Sequence, residues 1–382
     1  MKLQDHDFLR RYPTPFYCYD LPLLRDTLQV INKEIEGYPY VVHYAVKANG
    51  NPMILNEVRK AGLGVDLVSG NEIKAALAAG FEPAQMAYAG VGKADWEIEA
   101  GLENGIGCFN VESEEELEVI NDIAARMGRT AQVALRVNPD IDAHTHSYIT
   151  TGTAANKFGI GLASLDEVVD KAWHMPNVHL LGLHFHLGSQ ITDMGPFEVL
   201  CVKTNELLRH FEDKGISFEM IDVGGGLGVD YDNPEVNPIA KFREFFEVFK
   251  HGLELRPGQV VHFELGRSIV AQCGALISKV LFVKETPTKR FVILDAGMSD
   301  LLRPALYGSH HKIVNLTSCE METLVYDVVG PICESSDVFG RDERLPVTCR
   351  GDLVALLSAG AYGESMSSTY NMRSLPSSHF MG

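Results

Sequence analysis

Between Tyr38 and Ile269 the chain alternates short apolar runs with longer amphipathic stretches. The runs are Val41–Val46, Gly64–Val68, Met86–Ala89, Gly107–Val111, Val133–Val137, Leu180–Leu187, Met220–Val223 and Val260–Phe263. They are short, rich in β-branched or aromatic residues, and largely apolar at consecutive positions, which is the pattern of a strand buried on both faces. The stretches between them read as helices. Asn71–Ala79 follows a Ser69-Gly70 entry, and Ser113–Met127 opens with Ser113 and Glu116 at capping-box spacing. Phe197–Lys214 and Ile239–Leu255 repeat apolar residues every three or four positions. Strand–helix alternation implies a parallel sheet, and eight such units are the content of a (β/α)₈ TIM-type barrel. An open doubly wound sheet is the alternative that the repeat count leaves standing.

After about Arg267 the pattern changes. Ala275–Val283, Arg290–Leu294, Thr323–Val329 and Asp352–Leu357 are strand-like and separated by Gly, Pro and Asp turns. The expectation is an α/β barrel over residues 23–270 and an all-β, sandwich-like domain built from 1–22 and 271–382, joined by the early strand Phe16–Tyr19. A length of 382 residues suits two domains, and 46% apolar with 22% charged residues suits a filled core.

The charge narrows the partners. With 51 acidic against 33 basic residues the net charge is −18, which disfavours nucleic acid. No run approaches the roughly 18 apolar residues of a membrane span. The polar stretch Met1–Tyr12 does not read as a secretory signal. Seven cysteines without CxxC spacing fit a reduced, cytoplasmic setting.

In a (β/α)₈ barrel the active site lies at the C-terminal ends of the strands. Unusual polar residues recur at those ends: Lys47, Asp66 and Ser69, Asn110, Asn138, His186 and Ser189, Gly224–Gly226, and Glu264 with Arg267. Each has a plainer reading alone, since a lysine after an apolar strand is usually its exit into solvent. His184 and His186 share a face by period-two geometry, as zinc ligands or packed core residues would. Asp222–Gly228 reads Asp-Val-Gly-Gly-Gly-Leu-Gly, which matches neither a dinucleotide fingerprint nor a P-loop. It suits a backbone anion nest. Together the parts are an amine nucleophile, an anion nest with an arginine, a flat imidazole and a carboxylate. That set suits pyridoxal 5′-phosphate (PLP). The lysine forms the Schiff base, and a carboxylate on the pyridine nitrogen keeps the ring an electron sink. The lysine must be neutral to attack, which burial favours.

At these residues the sequence resembles the diaminopimelate decarboxylases, fold-type III PLP enzymes of the alanine racemase and ornithine decarboxylase superfamily. The resemblance spans nearly the whole chain. Its motifs are Tyr-Ala-Val-Lys-Ala-Asn (44–49), His-Phe-His-Leu-Gly-Ser-Gln (184–190), Gly-Gly-Gly-Leu-Gly (224–228) and Glu-Leu-Gly-Arg (264–267). Asp-Ala-Gly-Met (295–298), Arg-Pro-Ala-Leu-Tyr (303–307), Cys-Glu-Ser (333–335) and Gly-Ala-Tyr-Gly (360–363) follow. The resemblance implies that Lys47 is the Schiff-base lysine, that His186 stacks on the cofactor ring, and that Asp66 sits near the Schiff base. It implies that Ser189, Gly224, Gly225 and Gly226 hold the phosphate, with Gly266, Arg267 and Tyr362 nearby, and that Glu264 faces the pyridine nitrogen. Cys333 would return a proton after CO₂ leaves, from across the interface of a homodimer. Arg303 suits a bidentate contact with a distal carboxylate, Tyr307 adds a hydrogen bond, and Glu334 pairs with the distal ammonium. Arg267 and Tyr362 would border the substrate as well. The implied reaction converts meso-2,6-diaminopimelate to L-lysine and CO₂. The stretch Tyr148–Ile160 reads as an active-site loop of this family. Leu265 stands where the family usually has proline, which would loosen the turn there. The alternatives are a PLP decarboxylase of ornithine, lysine or arginine, a metal-dependent barrel hydrolase using His184, His186, His144 and His146, and an inactive decarboxylase-like regulator.

Overall fold

The computed structural model describes residues 3, 6–141 and 157–382. They form two compact units. One contains Leu28–Gly228 and Lys241–Gly266. The other contains the described residues of Met1–Thr27, together with Val229–Ala240 and Arg267–Gly382. His144, His146 and most of the expected loop Tyr148–Ile160 lie outside the described residues.

Strand β1 (Phe16–Asp20) belongs to the second unit. The first unit carries β2 (Tyr40–Ala45), β3 (Gly64–Leu67), β4 (Met86–Tyr88), β5 (Cys108–Val111), β6 (Ala131–Asn138), the two-residue β7 (Ile160–Gly161), β8 (Val178–His184), β9 (Met220–Asp222) and β10 (Val260–Leu265). Every pairing around the ring β2-β3-β4-β5-β6-β8-β9-β10 is parallel, and β10 returns to pair with β2. The sheet is therefore a closed eight-stranded barrel, and the open-sheet alternative falls. Among the described residues β7 pairs only with the end of β6.

Two helix starts fix strand ends that matter for the site. Ser69 Oγ accepts from the Glu72 N–H (3.2 Å), and the Glu72 carboxylate accepts from the Val68 N–H (2.6 Å). Ser113 and Glu116 repeat the arrangement, with 3.2 Å from the Glu116 N–H and 2.7 Å from the Glu112 N–H. The expected capping box is thus displaced by one residue, because the glutamate reaches the N–H before the cap rather than that of the cap itself. Ser69, grouped above with the strand-end polar residues, serves as a helix cap. The second glutamate also receives the buried ammonium of Lys93 at 2.6 Å. These bonds hold the chain just beyond Asp66 and Asn110.

Strand β10 is held from outside by aromatic packing. The helix Phe242–Gly252 turns Phe245, Phe246 and Phe249 onto Phe263, with ring centroids 5.7, 5.0 and 5.3 Å away. Burying each such ring stabilises the fold by about 1.5–3 kcal/mol. Since successive strand residues face opposite ways, fixing Phe263 outward fixes Glu264 inward. Leu265, the family's usual proline position, is the last residue of this strand and pairs with Tyr44. No turn exists there to loosen, so that expectation is corrected.

The second unit adds β11 (Gly274–Glu285), β12 (Arg290–Leu294), β13 (Ile313–Asn315), β14 (Thr323–Val329), β15 (Val338–Pro346), β16 (Leu353–Leu356) and β17 (Ser377–Met381). Their order is β13-β16-β11-β12-β14-β15. β1 pairs antiparallel with β11 and parallel with β17, so the early strand does join the β unit. Phe16 and Cys18, Ala275 and Ile277, and Leu353 and Ala355 alternate along β1, β11 and β16 and meet in one buried cluster.

Candidate active site

A TIM-type barrel normally fills its interior with branched apolar side chains. Here one interior layer is polar: Asp66, Asn110, His184, Asp222 and Glu264 are all buried. Glu264 is its hub. Its Oε1 accepts from Asn110 Nδ2–H at 2.8 Å and its Oε2 from His184 Nε2–H at 3.2 Å. Burial alone would raise the Glu264 pKa, but His184, by charge and hydrogen bond, and then Lys47 hold it below the usual carboxylate range. Glu264 is therefore ionised at neutral pH. Asp222 behaves oppositely. Burial first, and the Glu264 charge second, push its pKa well above the ordinary value. Asp222 Oδ1 accepts from the Gly224 N–H at 2.8 Å. A proton on Asp222 removes the repulsion between its carboxylate and that of Glu264.

Lys47 sits in the single 3₁₀ turn Val46–Ala48 that ends β2, and its Nζ is 3.0 Å from Asp66 Oδ2. Burial and the Glu264 charge raise Asp66 to about 7, against the pull of Lys47. A Cβ on Gly266 would stand 3.0 Å from Ala48 Cβ, so glycine there lets the end of β10 close on this turn.

His186 lies two residues past the end of β8, and its Nδ1 accepts from the Gly225 N–H at 3.2 Å. Burial, with Arg136 and Lys47 nearby, lowers the His186 pKa well below the ordinary value. The ring is neutral, with its proton on Nε2. A Cβ on Gly225 would stand 1.8 Å from the Glu264 carbonyl oxygen, so only glycine fits. The anion nest is narrower than its sequence suggested. The Gly224 and Gly225 N–H groups already donate to Asp222 and His186, whereas the Gly226 N–H has no partner among the described residues. Ser189 is half-buried in the turn after β8. Asn138 serves the chain locally, accepting from the Asp140 N–H at 3.1 Å and donating to the Phe158 carbonyl at 3.3 Å.

The structure also reorganises the metal alternative. Among the described residues the group able to hold a cation is His184, Asp222 and Glu264, with ligand atoms within 4.8 Å of one another. His186 is not in it, and it is turned to the glycine backbone instead.

The second unit holds a basic cluster. Arg267 opens the short helix Arg267–Val270, three residues after Glu264 in the chain. Arg303 opens the helix Arg303–Tyr307. Both guanidinium groups are buried and both donate to the Tyr231 hydroxyl, from Nη1 at 2.8 and 3.0 Å. Arg303 has neutral partners beyond that: His311 Nε2 at 2.9 Å and Ser309 Oγ at 3.3 Å. The Arg267 guanidinium lies 4.9 Å over the Tyr362 ring, and Tyr362 adopts φ +56°. Tyr307 is half-buried. Cys333 and Glu334 are exposed on the single chain, and Glu334 accepts from Tyr370 and Ser336 hydroxyls. Sequence reasoning missed Tyr231, His311 and Asp222. Asp222 was visible as the head of the glycine motif, and Tyr231 stands three residues past its end. Nothing local marked His311.

The barrel, with a strand-end lysine beside a buried aspartate and an ionised interior glutamate, defines a class. Residues 23–271 match the family model of the pyridoxal-dependent decarboxylases, pyridoxal binding domain. The chain is 58% identical to the diaminopimelate decarboxylase of Bacteroides thetaiotaomicron over 97% of its own length and 96% of that protein's. It is 42% identical to that of Zymomonas mobilis subsp. mobilis, over 96% and 87% respectively. Among solved structures it superposes on Helicobacter pylori diaminopimelate decarboxylase in complex with L-lysine at a TM-score of 0.93, with 39% identity, covering 98% of this chain and 93% of that one. The chain belongs to the diaminopimelate decarboxylase family.

Proposed function

We propose that this chain catalyses the PLP-dependent decarboxylation of meso-2,6-diaminopimelate to L-lysine and CO₂, the last step of lysine biosynthesis. The observation that carries the substrate assignment is Arg303. It is a buried cation whose hydrogen-bond partners among the described residues are all neutral. A buried charge without a counter-charge is costly, and a substrate carboxylate supplies one. Ornithine and lysine have no carboxylate at the end remote from the reacting carbon.

The barrel residues fit PLP. The cofactor, when bound, supplies an electron sink for the carbanion left as CO₂ departs. We assign its attachment to Lys47, with Asp66 taking or returning a proton at Nζ. An ionised Glu264 would favour a proton on the pyridine nitrogen of the bound cofactor. The neutral His186 ring offers a flat face, and the Gly226 N–H with Ser189 offers donors to phosphate oxygens. The cradle where Gly225 excludes any Cβ gives the backbone close approach.

At the other end Arg303 and Tyr307 take the distal carboxylate and Glu334 the distal ammonium, with Arg267 and Tyr362 beside them. Cys333 returns a proton to the reacting carbon. The exposure of Cys333 and Glu334 on the single chain supports a homodimer in which each copy lends them to its partner. The seven free cysteines suit a reducing, cytoplasmic setting. Among the described residues no helix is long and apolar enough to cross a membrane.

The test is a product assay with PLP, offering meso-diaminopimelate, ornithine, arginine and lysine separately. Diaminopimelate should give equal amounts of L-lysine and CO₂ and the highest kcat/KM. A better turnover of any of the other three overturns the assignment.

A further inference from the structure

The basic cluster is built around Tyr231. Its hydroxyl oxygen accepts from Arg267 Nη1 at 2.8 Å and Arg303 Nη1 at 3.0 Å. The Arg303 guanidinium also lies 5.1 Å over its ring, and the ring meets His311 edge-on at 5.2 Å. His311 Nδ1–H donates to the Leu357 carbonyl at 2.9 Å, which leaves Nε2 as the lone-pair nitrogen that accepts from Arg303. Burial, and Arg303 after it, push the His311 pKa down to about 3, so the imidazole remains an acceptor at neutral pH.

Two guanidinium groups thus converge on one neutral oxygen. A hydroxyl has two acceptor sites and one proton. Both acceptor sites are filled, and among the described residues nothing accepts the proton. Burial would raise the pKa of this phenol, but Arg267 and Arg303 bring it below the ordinary value, which strengthens the O–H as a donor. A carboxylate arriving at this cluster would meet the cations and the one O–H left to give.

We propose that Tyr231 is a specificity-determining residue, whose O–H donates to the distal carboxylate of the substrate while its oxygen holds Arg267 and Arg303 side by side. The inference rests on reading the site as one for diaminopimelate. It adds a third donor to the carboxylate subsite and makes His311 the neutral group that orients Arg303.

The substitution Tyr231→Phe keeps the ring and removes only the hydroxyl. The ligands to compare on the PLP-loaded enzyme are L-lysine and cadaverine. Loss of CO₂ removes the carboxylate of the reacting carbon, so L-lysine retains the distal one, and cadaverine has neither. Binding of L-lysine should weaken about ten- to hundredfold, as for the loss of a charge-assisted hydrogen bond. The KM for diaminopimelate should rise in parallel, with kcat within a few-fold and cadaverine binding unchanged. In Tyr231→Gln an acceptor and a donor return without the ring, and the L-lysine to cadaverine ratio should move back toward the wild type. Equal weakening of both ligands in Tyr231→Phe, or no weakening of either, would overturn the proposal. So would a glutamine variant more impaired than the phenylalanine one, since ring packing would then set the site. Failure of the wild-type enzyme to decarboxylate diaminopimelate would instead strike the functional reading. The comparison of L-lysine with cadaverine would still judge Tyr231.

Discussion

The Lys47 ammonium lies 3.0 Å from Asp66 Oδ2, and the acid is fully buried while the amine is about one-third exposed. Burial and Glu264 raise Asp66 to about 7 in spite of that partner. Its proton is therefore exchangeable near neutrality, where the amine must lose one to react. The same shift predicts a stability effect. An acid whose folded pKa is raised contributes stability that is present below its unfolded value, near 4, and lost as pH rises through about 7. Urea unfolding of the cofactor-free protein should show the wild type losing stability between pH 5 and 8 more steeply than Asp66→Asn. Parallel profiles would mean that Asp66 titrates normally.

Glu264→Gln preserves the shape of the interior hub and removes its charge. The variant should still bind PLP, because Lys47 and the glycine cradle are untouched. Its kcat should fall by about 10²–10³-fold, the scale on which removal of one preorganised electrostatic group acts. Steady-state kinetics with a matched absorbance spectrum separates the two effects. A kcat near that of the wild type would remove Glu264 from the chemistry.

Arg303→Ala should lower kcat/KM for diaminopimelate by about 10²-fold, or about 3 kcal/mol, since charge-assisted bonds to a carboxylate are lost. PLP absorbance should not change. A variant that loses the cofactor as well would show that Arg303 supports the fold or the cofactor rather than the substrate.

Cys333→Ala should slow turnover and leave the cofactor spectrum intact. If each copy lends Cys333 to its partner, mixing this variant with inactive Lys47→Ala should recover part of the activity, because some mixed dimers regain one complete site. Activity no greater than the sum of the separate variants would place lysine and cysteine in the same chain's site, or remove the dimer.

The barrel was legible because its strands are buried on both faces, so their apolar runs stand out without any knowledge of the ring. Asp66 was legible as a polar residue interrupting one of those runs, and Lys47 and Glu264 as polar residues ending two others. The roles of their neighbours were not. That His184 serves Glu264 while His186 turns to Gly225 depends on where β8 ends, and period-two counting had put both on one face. β15 and β17 escaped notice because Gly-Arg-Asp-Glu-Arg and Ser-Ser-His carry no apolar alternation. Tyr231, Arg303 and His311 come together only through folding across 80 residues, and pattern reading has no access to that.

The measurement that bears most directly on the account is borohydride reduction of the PLP-loaded protein, followed by peptide mass mapping. The reduced adduct should be carried by the peptide containing Lys47, and the Lys47→Ala protein should carry none. A reduced adduct on a different lysine, or undiminished labelling of Lys47→Ala, would contradict the assignment from which the roles of Asp66, Glu264 and His186 follow.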